Sequence, residues 1–317
     1  MNTLSEIAKI LLQKDNFIII PHRNPDGDCL GSSVGLVNAL RDIGKNAYIS
    51  LPNEPGDRLM FLWDKSYGTP SDFNCDAVIA VDVASTYMMA HLKEEVFDKA
   101  PLTLCLDHHG TNDGYADVNY VDAHSAACGE IIYELICRMN APISNKTASA
   151  LYSAIASDTG SFRYSNTTAK THEITAKLVN YGIDSAGIMK ILFETKTMEQ
   201  IKVMSDIISN MEFFYDGKVC ITYCDNDMLS KYNLTFDDVD EYVTLPRTIE
   251  GVEVGIFLKE RSETETKVSL RSNEYVDVSQ ISASLGGGGH IRAAGVTIDG
   301  TRQTAQQILL DKLKDII

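Results

Sequence analysis

His22, Asp26 and Asp28 fall within seven positions of the stretch PHRNPDGDCLGS (21–32), directly after the apolar run FIII. Two carboxylates separated only by Gly27 repel each other unless something cationic lies near them. Asp82 closes AVIAVD (77–82), Asp107, His108 and His109 close LTLCLDHH (102–109), and Asp158 closes the helical pattern SALYSAIASD. Taken singly, each has an ordinary reading: an Asp after a strand is a helix cap or a turn residue, and a histidine pair can sit satisfied at a surface. Brought together, they would crowd at least four carboxylates and two or three imidazoles into one pocket, which would repel itself without cations. Carboxylate and imidazole donors without thiolates suit Mn²⁺, with Mg²⁺, Co²⁺ or Fe²⁺ as substitutes, rather than structural zinc. The donors suffice for two ions sharing one carboxylate, roughly 3.5–4 Å apart, an arrangement that activates a water and clamps the attacking and leaving oxygens at phosphorus.

Such a pocket needs strand ends on one sheet edge. FIIIP (17–21), AYISL (47–51), AVIAVD, LTLCLDHH and ADVNYVD (116–122) read as buried strands, with CLGSSVGLVNALRDIG as a helix between the first two. Apolar runs alternating with helices predict an α/β fold with a mostly parallel sheet and helices on both faces, and in such sheets ligands bind beyond the carboxyl ends of the strands. From about 125 to 210 the pattern is helical. Strands then return, with MEFFYDGKVCITYC as a hairpin turning at Asp216-Gly217. The expected division is a first domain over 1–185, a helical linker over 186–210 and a smaller α/β domain over 211–317, facing the first across a cleft.

The chain has 317 residues, long enough for two domains, and its 44% hydrophobic content is ordinary. The formal net charge of −16 argues against binding long nucleic acid, which is driven by phosphate neutralisation. A short phosphorylated ligand held by metal ions and a few arginines remains compatible with it. No apolar run reaches the length of a membrane span. MNTLSEIAKILLQKDNF reads as an amphipathic helix, with Ile7, Ile10 and Leu11 on one face, rather than a signal peptide. Seven cysteines, an odd number with no C-x-x-C pair, point to a reducing, cytoplasmic setting. Cys220 and Cys224 share one strand face and read as buried thiols.

In this order, HRNPDGDCLGS, AVD, DHHG and SDTGSFRYSNT resemble the motifs of the DHH phosphoesterase superfamily, and GGGGHIRAAG (286–295) resembles its DHH-associated C-terminal domain. The resemblance covers nearly the whole chain and is nearest to the branch of oligoribonucleases and pAp phosphatases, pAp being 3′-phosphoadenosine 5′-phosphate. It implies two Mn²⁺ ions: His22 and Asp26 on the first, Asp28, His108 and Asp158 on the second, and Asp82 bridging both. It also implies that His109 faces the scissile phosphate and that Asp107 orients the histidine pair, as metal-bound imidazoles require. His124 reads as a loop histidine.

Four consecutive glycines cost backbone entropy. A flexible linker is the plain reading; the functional one has Gly287, Gly288 and Gly289 offering N–H groups to phosphate or sugar, with His290 reaching the same ligand. Arg271, at the end of a strand pattern, is expected to pair with a terminal phosphate, and Arg163 and Tyr164 to line the site after Asp158. Arg292 and these three have solvated surface roles as the alternative. FDDVDEY (236–242) reads as a solvated loop or helix start. The expected enzyme is a phosphodiesterase or bisphosphate nucleotidase acting on short RNA oligonucleotides, linear dinucleotides or pAp, with no membrane partner; a homodimer is compatible with the sequence. The alternatives are a cyclic-di-AMP phosphodiesterase, an inorganic pyrophosphatase (disfavoured by the glycine element) and a non-enzymatic nucleotide sensor.

Overall fold

The computed structural model describes residues 1–317, the side chain of His290 excepted. The chain divides into two compact units, Met1–Thr195 and Lys196–Ile317.

In the first unit, five parallel strands run in the order β2-β1-β3-β4-β5: β1 Asn16–Ile20, β2 Asn46–Ile49, β3 Ala77–Val81, β4 Thr103–Asp107 and β5 Val118–Val121. The order reverses between β1 and β3, which opens a crevice at their carboxyl ends. One face is covered by α1 (Leu4–Gln13), α2 (Gly27–Asp42), α4 (Cys128–Arg138) and α5 (Asn145–Asp158), whose apolar residues share one core with the strands. The other face has a thinner cover, a 3₁₀ turn Thr86–Met89, α3 (Leu92–Glu95) and a turn at Phe97–Lys99, packed on Ile18, Ile20, Val78 and Ala80. Helices α6 (Ala169–Val179) and α7 (Ser185–Met189), then a π turn through Glu194, complete the unit. The segment read as a linker is thus split between the two units, with α8 (Met198–Ser209) in the second.

Helix α2 begins at Gly27, two residues earlier than its sequence pattern indicates, because Asp26 caps it by accepting the Cys29 N–H at 3.0 Å. Gly27, Gly31 and Gly35 form a stripe along α2 against α5. A Cβ at Gly27 would lie 2.5 Å from Ser157 Oγ, one at Gly31 2.5 Å from the Ala150 carbonyl, and one at Gly35 2.6 Å from Leu151 Cδ2. The two helices therefore run antiparallel in close contact, and the start of α2 lies beside the end of α5.

The second unit holds β6 (Glu212–Phe214), β7 (Val219–Asp225), β8 (Val254–Ser262), β9 (Glu265–Ser272), β10 (Gly288–His290) and β11 (Ala293–Asp299) in the order β10-β11-β9-β8-β7-β6, antiparallel except for β7 with β8. Helices α10 (Val278–Ala283) and α11 (Arg302–Leu313) cover one face; α8, α9 (Asn226–Lys231) and a 3₁₀ stretch Asp237–Thr248 cover the other. FDDVDEY is the start of this helical stretch, one of its two expected readings, but it is not solvated throughout: Val239 and Tyr242 are buried, and Asp240 pairs with the buried Lys259. No helix is long and apolar enough to cross a membrane among the described residues.

Candidate metal centre

The loops leaving β1, β3 and β4 converge with the ends of α2 and α5 at the crevice. His22 Nε2 lies 3.8 Å from Asp26 Oδ2 and 3.8 Å from Asp82 Oδ2. His108 Nε2 lies 3.7 Å from Asp28 Oδ2, 3.5 Å from Asp82 Oδ1 and 3.6 Å from Asp158 Oδ2. Asp82 thus turns one carboxylate oxygen to each group. All six residues that the sequence nominates as metal ligands meet here.

Each side chain is held by something specific. Asp28 is buried in the first turn of α2, where its Oδ2 accepts the Cys128 N–H at 2.7 Å and its Oδ1 accepts the Gly129 N–H at 3.0 Å. Those donors are the first amides of α4, whose own cap position, Ala127, supplies no side-chain acceptor. Asp28 therefore caps a distant helix as well as facing the crevice. Asp82 sits in left-handed backbone at φ 59°, a conformation that costs most residues energy but that Asp and Asn tolerate. Asp107 is fully buried; its Oδ1 accepts His109 Nδ1–H and the His108 backbone N–H, each at 2.8 Å, and its Oδ2 accepts Asn112 Nδ2–H at 2.7 Å. The ring of His108 is oriented differently from expectation: its Nδ1 donates to the Ser125 carbonyl at 3.2 Å rather than to Asp107.

The electrostatics show what is missing from a purely protein pocket. Burial and the charges of Asp28, Asp26 and Asp107 push the Asp82 carboxyl well above the usual range. Burial and the neighbouring Asp26 outweigh His108 and the α4 amides at Asp28, which is also raised. At Asp158, burial and Asp28 raise the carboxyl to about 7. Asp26 differs. Desolvation pushes it up, but the hydrogen bond and charge of His22 and the Cys29 N–H prevail and leave it at about 2. His109 is raised, desolvation being outweighed by its bond to Asp107. Asp82 Oδ1 is buried and accepts no hydrogen bond from any described residue. A buried, unpartnered carboxylate oxygen beside imidazoles fits a bound cation. The residues also form groups with ligand atoms close enough to hold one: Asp28, His108 and Asp158; Asp82, His108 and His109; and His22, Cys29 and Asp82.

That last group includes a sulfur to which no sequence pattern points. Cys29 Sγ accepts the His22 N–H at 3.1 Å. Burial and the charges of Asp82 and Asp26 push this thiol up well above its ordinary range, so it is held as a neutral thiol. Asn112 and Ser125 also join the site without having been expected there; an Asn five residues past a buried Asp is the only sequence cue, and Ser125 acts through its backbone.

Other expectations are modified. Gly27 is the first residue of α2, and what its position requires is closeness to Ser157. At the start of α2 the Cys29 amide is already taken by Asp26. In the glycine run, the N–H groups of Gly286 and Gly287 donate to the Ala283 and Ser282 carbonyls, and Gly287 and Gly289 are packed where a Cβ would lie 2.3 Å from the Gly295 carbonyl and 2.5 Å from the Ala293 carbonyl. Of the three substrate-assigned glycines, Gly288 alone has open space around it. The run is thus partly a packing device that lets β10 pair with β11, not a linker and not a row of free donors. His290 contributes its backbone to β10, and its side chain lies outside the described residues. Arg271 is half-buried on β9 with Nη1 donating to the Leu270 carbonyl at 2.9 Å. Arg163 is exposed and donates Nε–H to the Gly160 carbonyl at 2.8 Å, while Tyr164 packs its ring over Gly160. Arg292 binds the Val276 and Glu274 carbonyls, so its role is structural. His124 is an exposed loop residue.

The DHH family N-terminal domain is matched over residues 16–155, and the DHHA1 domain over 216–317. The chain is 31% identical over 303 residues to the bifunctional oligoribonuclease and PAP phosphatase NrnA of Thermus thermophilus, covering 95% of this chain and 89% of that one. It is 24% identical over 330 residues to the cyclic-di-AMP phosphodiesterase PdeA of Listeria monocytogenes, covering 97% of this chain but 48% of that one. Among solved structures, an exopolyphosphatase-related protein from Bacteroides fragilis superposes with a TM-score of 0.90 at 25% identity, covering 99% of this chain and 96% of that one. The chain belongs to the DHH family, and it carries both of the domains that its motifs lead one to expect.

Proposed function

We propose that this protein is a divalent-cation-dependent phosphoesterase that hydrolyses short RNA oligonucleotides to nucleoside monophosphates and removes a phosphate from pAp. The observation that carries this reading is the shared Asp82, with Oδ2 at 3.8 Å from His22 and Oδ1 at 3.5 Å from His108. His22, Asp26 and Asp82 would hold one cation, and Asp28, Asp82, His108 and Asp158 the other; Mn²⁺ suits this donor set, with Mg²⁺ or Co²⁺ as substitutes. Cations bound there supply Lewis acidity at phosphorus and a water acidified toward neutrality.

The chain's own groups have separable tasks. The Ser125 carbonyl fixes the proton of His108 on Nδ1 and leaves Nε2 as a donor atom for a cation. Asp107 holds His109 through Nδ1, so Nε2 of this raised imidazole is free to donate a proton to a phosphoryl oxygen or to the leaving oxygen. Arg271, Gly288 and His290 of the second unit are assigned to substrate. The similarity to NrnA and the charge of −16 support short substrates over long ones. A second reading, opening of cyclic-di-AMP, is favoured by the similarity to PdeA.

The test is a substrate panel with the purified, chelator-stripped chain, with and without Mn²⁺, ranked by kcat/KM on RNA of about two to five nucleotides, pAp, pApA, cyclic-di-AMP and pyrophosphate. Cation-dependent release of mononucleotides from the short RNAs is the expected result. A preference for cyclic-di-AMP would select the second reading, and no hydrolysis of any phosphoester would overturn both.

A further inference from the structure

On the proposed function the groups of the first unit address a phosphate, and none of them is assigned to a nucleoside. Two loops at the rim of the crevice bear on this. The one after β1 carries His22 and then Arg23; the one after β3 carries Asp82 and then the turn Thr86–Met89. The Arg23 N–H donates to the Met88 carbonyl at 2.7 Å, which ties the loops together. Beside that tie the Arg23 guanidinium lies 4.5 Å from the centroid of the Tyr87 ring. Tyr87 is nevertheless 71% exposed, so the ring face away from Arg23 is open to solvent.

Two other arginines stacked on tyrosines among the described residues show how this one differs. Arg41, stacked on Tyr48 and Tyr67, donates to the Ala47 and Ser66 carbonyls at 2.8 Å each. Arg302, stacked on Tyr223, lies 3.6 Å from Glu260. Both are absorbed in packing. Among the described residues no carboxylate pairs with the Arg23 guanidinium, although the chain is strongly acidic and Arg23 directly follows a residue of the carboxylate-rich crevice. A cation with unclaimed donors beside an open aromatic face is the chemistry that takes a nucleobase and its phosphate: bases of any kind stack on the ring, and guanidinium forks match phosphate oxygens.

We propose that Arg23 and Tyr87 form a nucleotide subsite for the part of the substrate that lies beyond the scissile phosphate, with the base stacked on Tyr87 and a non-scissile phosphate or sugar paired with Arg23. The inference rests on the phosphoesterase reading and adds a chain-length preference to it. A dinucleotide or longer RNA fills the subsite; pAp, with a single nucleoside, does not depend on it.

The test compares the full-length wild type with Tyr87→Ala, Tyr87→Phe and Arg23→Lys in Mn²⁺, on an RNA dinucleotide, pAp and bis(p-nitrophenyl) phosphate. Tyr87→Ala should raise KM for the dinucleotide with kcat nearly unchanged, lowering kcat/KM by roughly 5- to 150-fold, the loss of one base stack. Tyr87→Phe should behave as wild type, and Arg23→Lys should fall between. Hydrolysis of pAp and of the chromogenic diester should be unaffected by Tyr87→Ala. Quenching of a 2-aminopurine dinucleotide on binding should also be lost in Tyr87→Ala. Unchanged KM and quenching in that variant, or an equal loss on all three substrates, would overturn the subsite. Wild-type protein inert on every substrate would instead overturn the phosphoesterase reading.

Discussion

The two halves of the crevice use the same donor types in opposite settings. Asp26, on the His22 side, is 57% exposed and sits at about 2. Asp28 and Asp158, on the His108 side, are pushed up by burial and by neighbouring carboxylates, Asp158 to about 7. Asp26, in this open half, is therefore ionised across the physiological pH range. In the closed half the raised carboxyls favour protons, with which a cation would have to compete. Asp82 belongs to both, and its buried Oδ1 is the point at which a filled closed half would relieve the repulsion. Identical side chains thus differ in proton affinity according to their neighbours: His22 and the Cys29 amide overcome desolvation at Asp26, whereas neighbouring carboxylates add to it at Asp28 and Asp158.

The strongest way to break this comparison is to remove the residue common to both halves. Asp82→Asn keeps a side chain that tolerates the left-handed backbone, which Asp82→Ala would not do as well. Activity should drop on the order of a thousandfold or more, since charge stabilisation at phosphorus depends on it. The chelator-treated variant should melt higher than chelator-treated wild type, because a buried carboxyl that ionises only at a cost among its neighbouring carboxylates is gone. A variant that retains full Mn²⁺-dependent turnover would contradict the assignment.

The next comparison separates the halves. Asp26→Asn should weaken cation binding by a factor that hardly changes with pH. Asp158→Asn should weaken it by a factor that grows as pH rises through about 7, where wild-type Asp158 becomes ionised. The same shift fixes the sign for stability: the folded carboxyl holds its proton up to about 7 whereas its ordinary value is 3.8. The metal-free fold should therefore lose stability as pH rises across that window, and Asp158→Asn should flatten the loss. Calorimetric titrations of cation binding and melting curves in chelator, each at several pH values, check both statements. Equal pH profiles for the two variants would erase the distinction between the halves.

A smaller effect is expected from the scaffold. Gly31→Ala puts a methyl group against the Ala150 carbonyl and Ala154, which should cost about 1–3 kcal/mol. Because the stripe aligns the end of α5 with the start of α2, the variant should also weaken cation binding at the Asp158 half more than at the His22 half. A variant with wild-type melting and binding would show that the close crossing is not what sets the separation of Asp28 and Asp158.

Much of the first unit is legible in the residues themselves. Apolar runs ending in Asp or in Asp-His-His announce buried parallel strands with ligands at their carboxyl ends, because such strands need no alternation and the loops that follow them are where side chains are free to converge. Residues such as Asp82 and His108 carry their chemistry in their type and their place at a strand end. Roles set by distant partners are not legible in this way. The amides that hold Asp28 come from 100 residues further along the chain. The glycine stripe of α2 reads as helix-weakening spacing until α5 is seen against it. The carbonyl of Ser125 and the amide of Asn112 have no signature, because a backbone acceptor or a single polar side chain is informative only beside the group it binds. Arg23 and Tyr87 stand 64 positions apart and become a pair only because β1 and β3 are neighbours in the sheet, which brings their loops together.

By itself, then, the sequence determined the inventory: which donors exist, that they follow strands, and that their charge demands cations. The tertiary structure alone decided the division of labour among them. Depth and neighbours set each carboxyl's proton affinity, and both are properties of packing, which no local pattern of residues specifies.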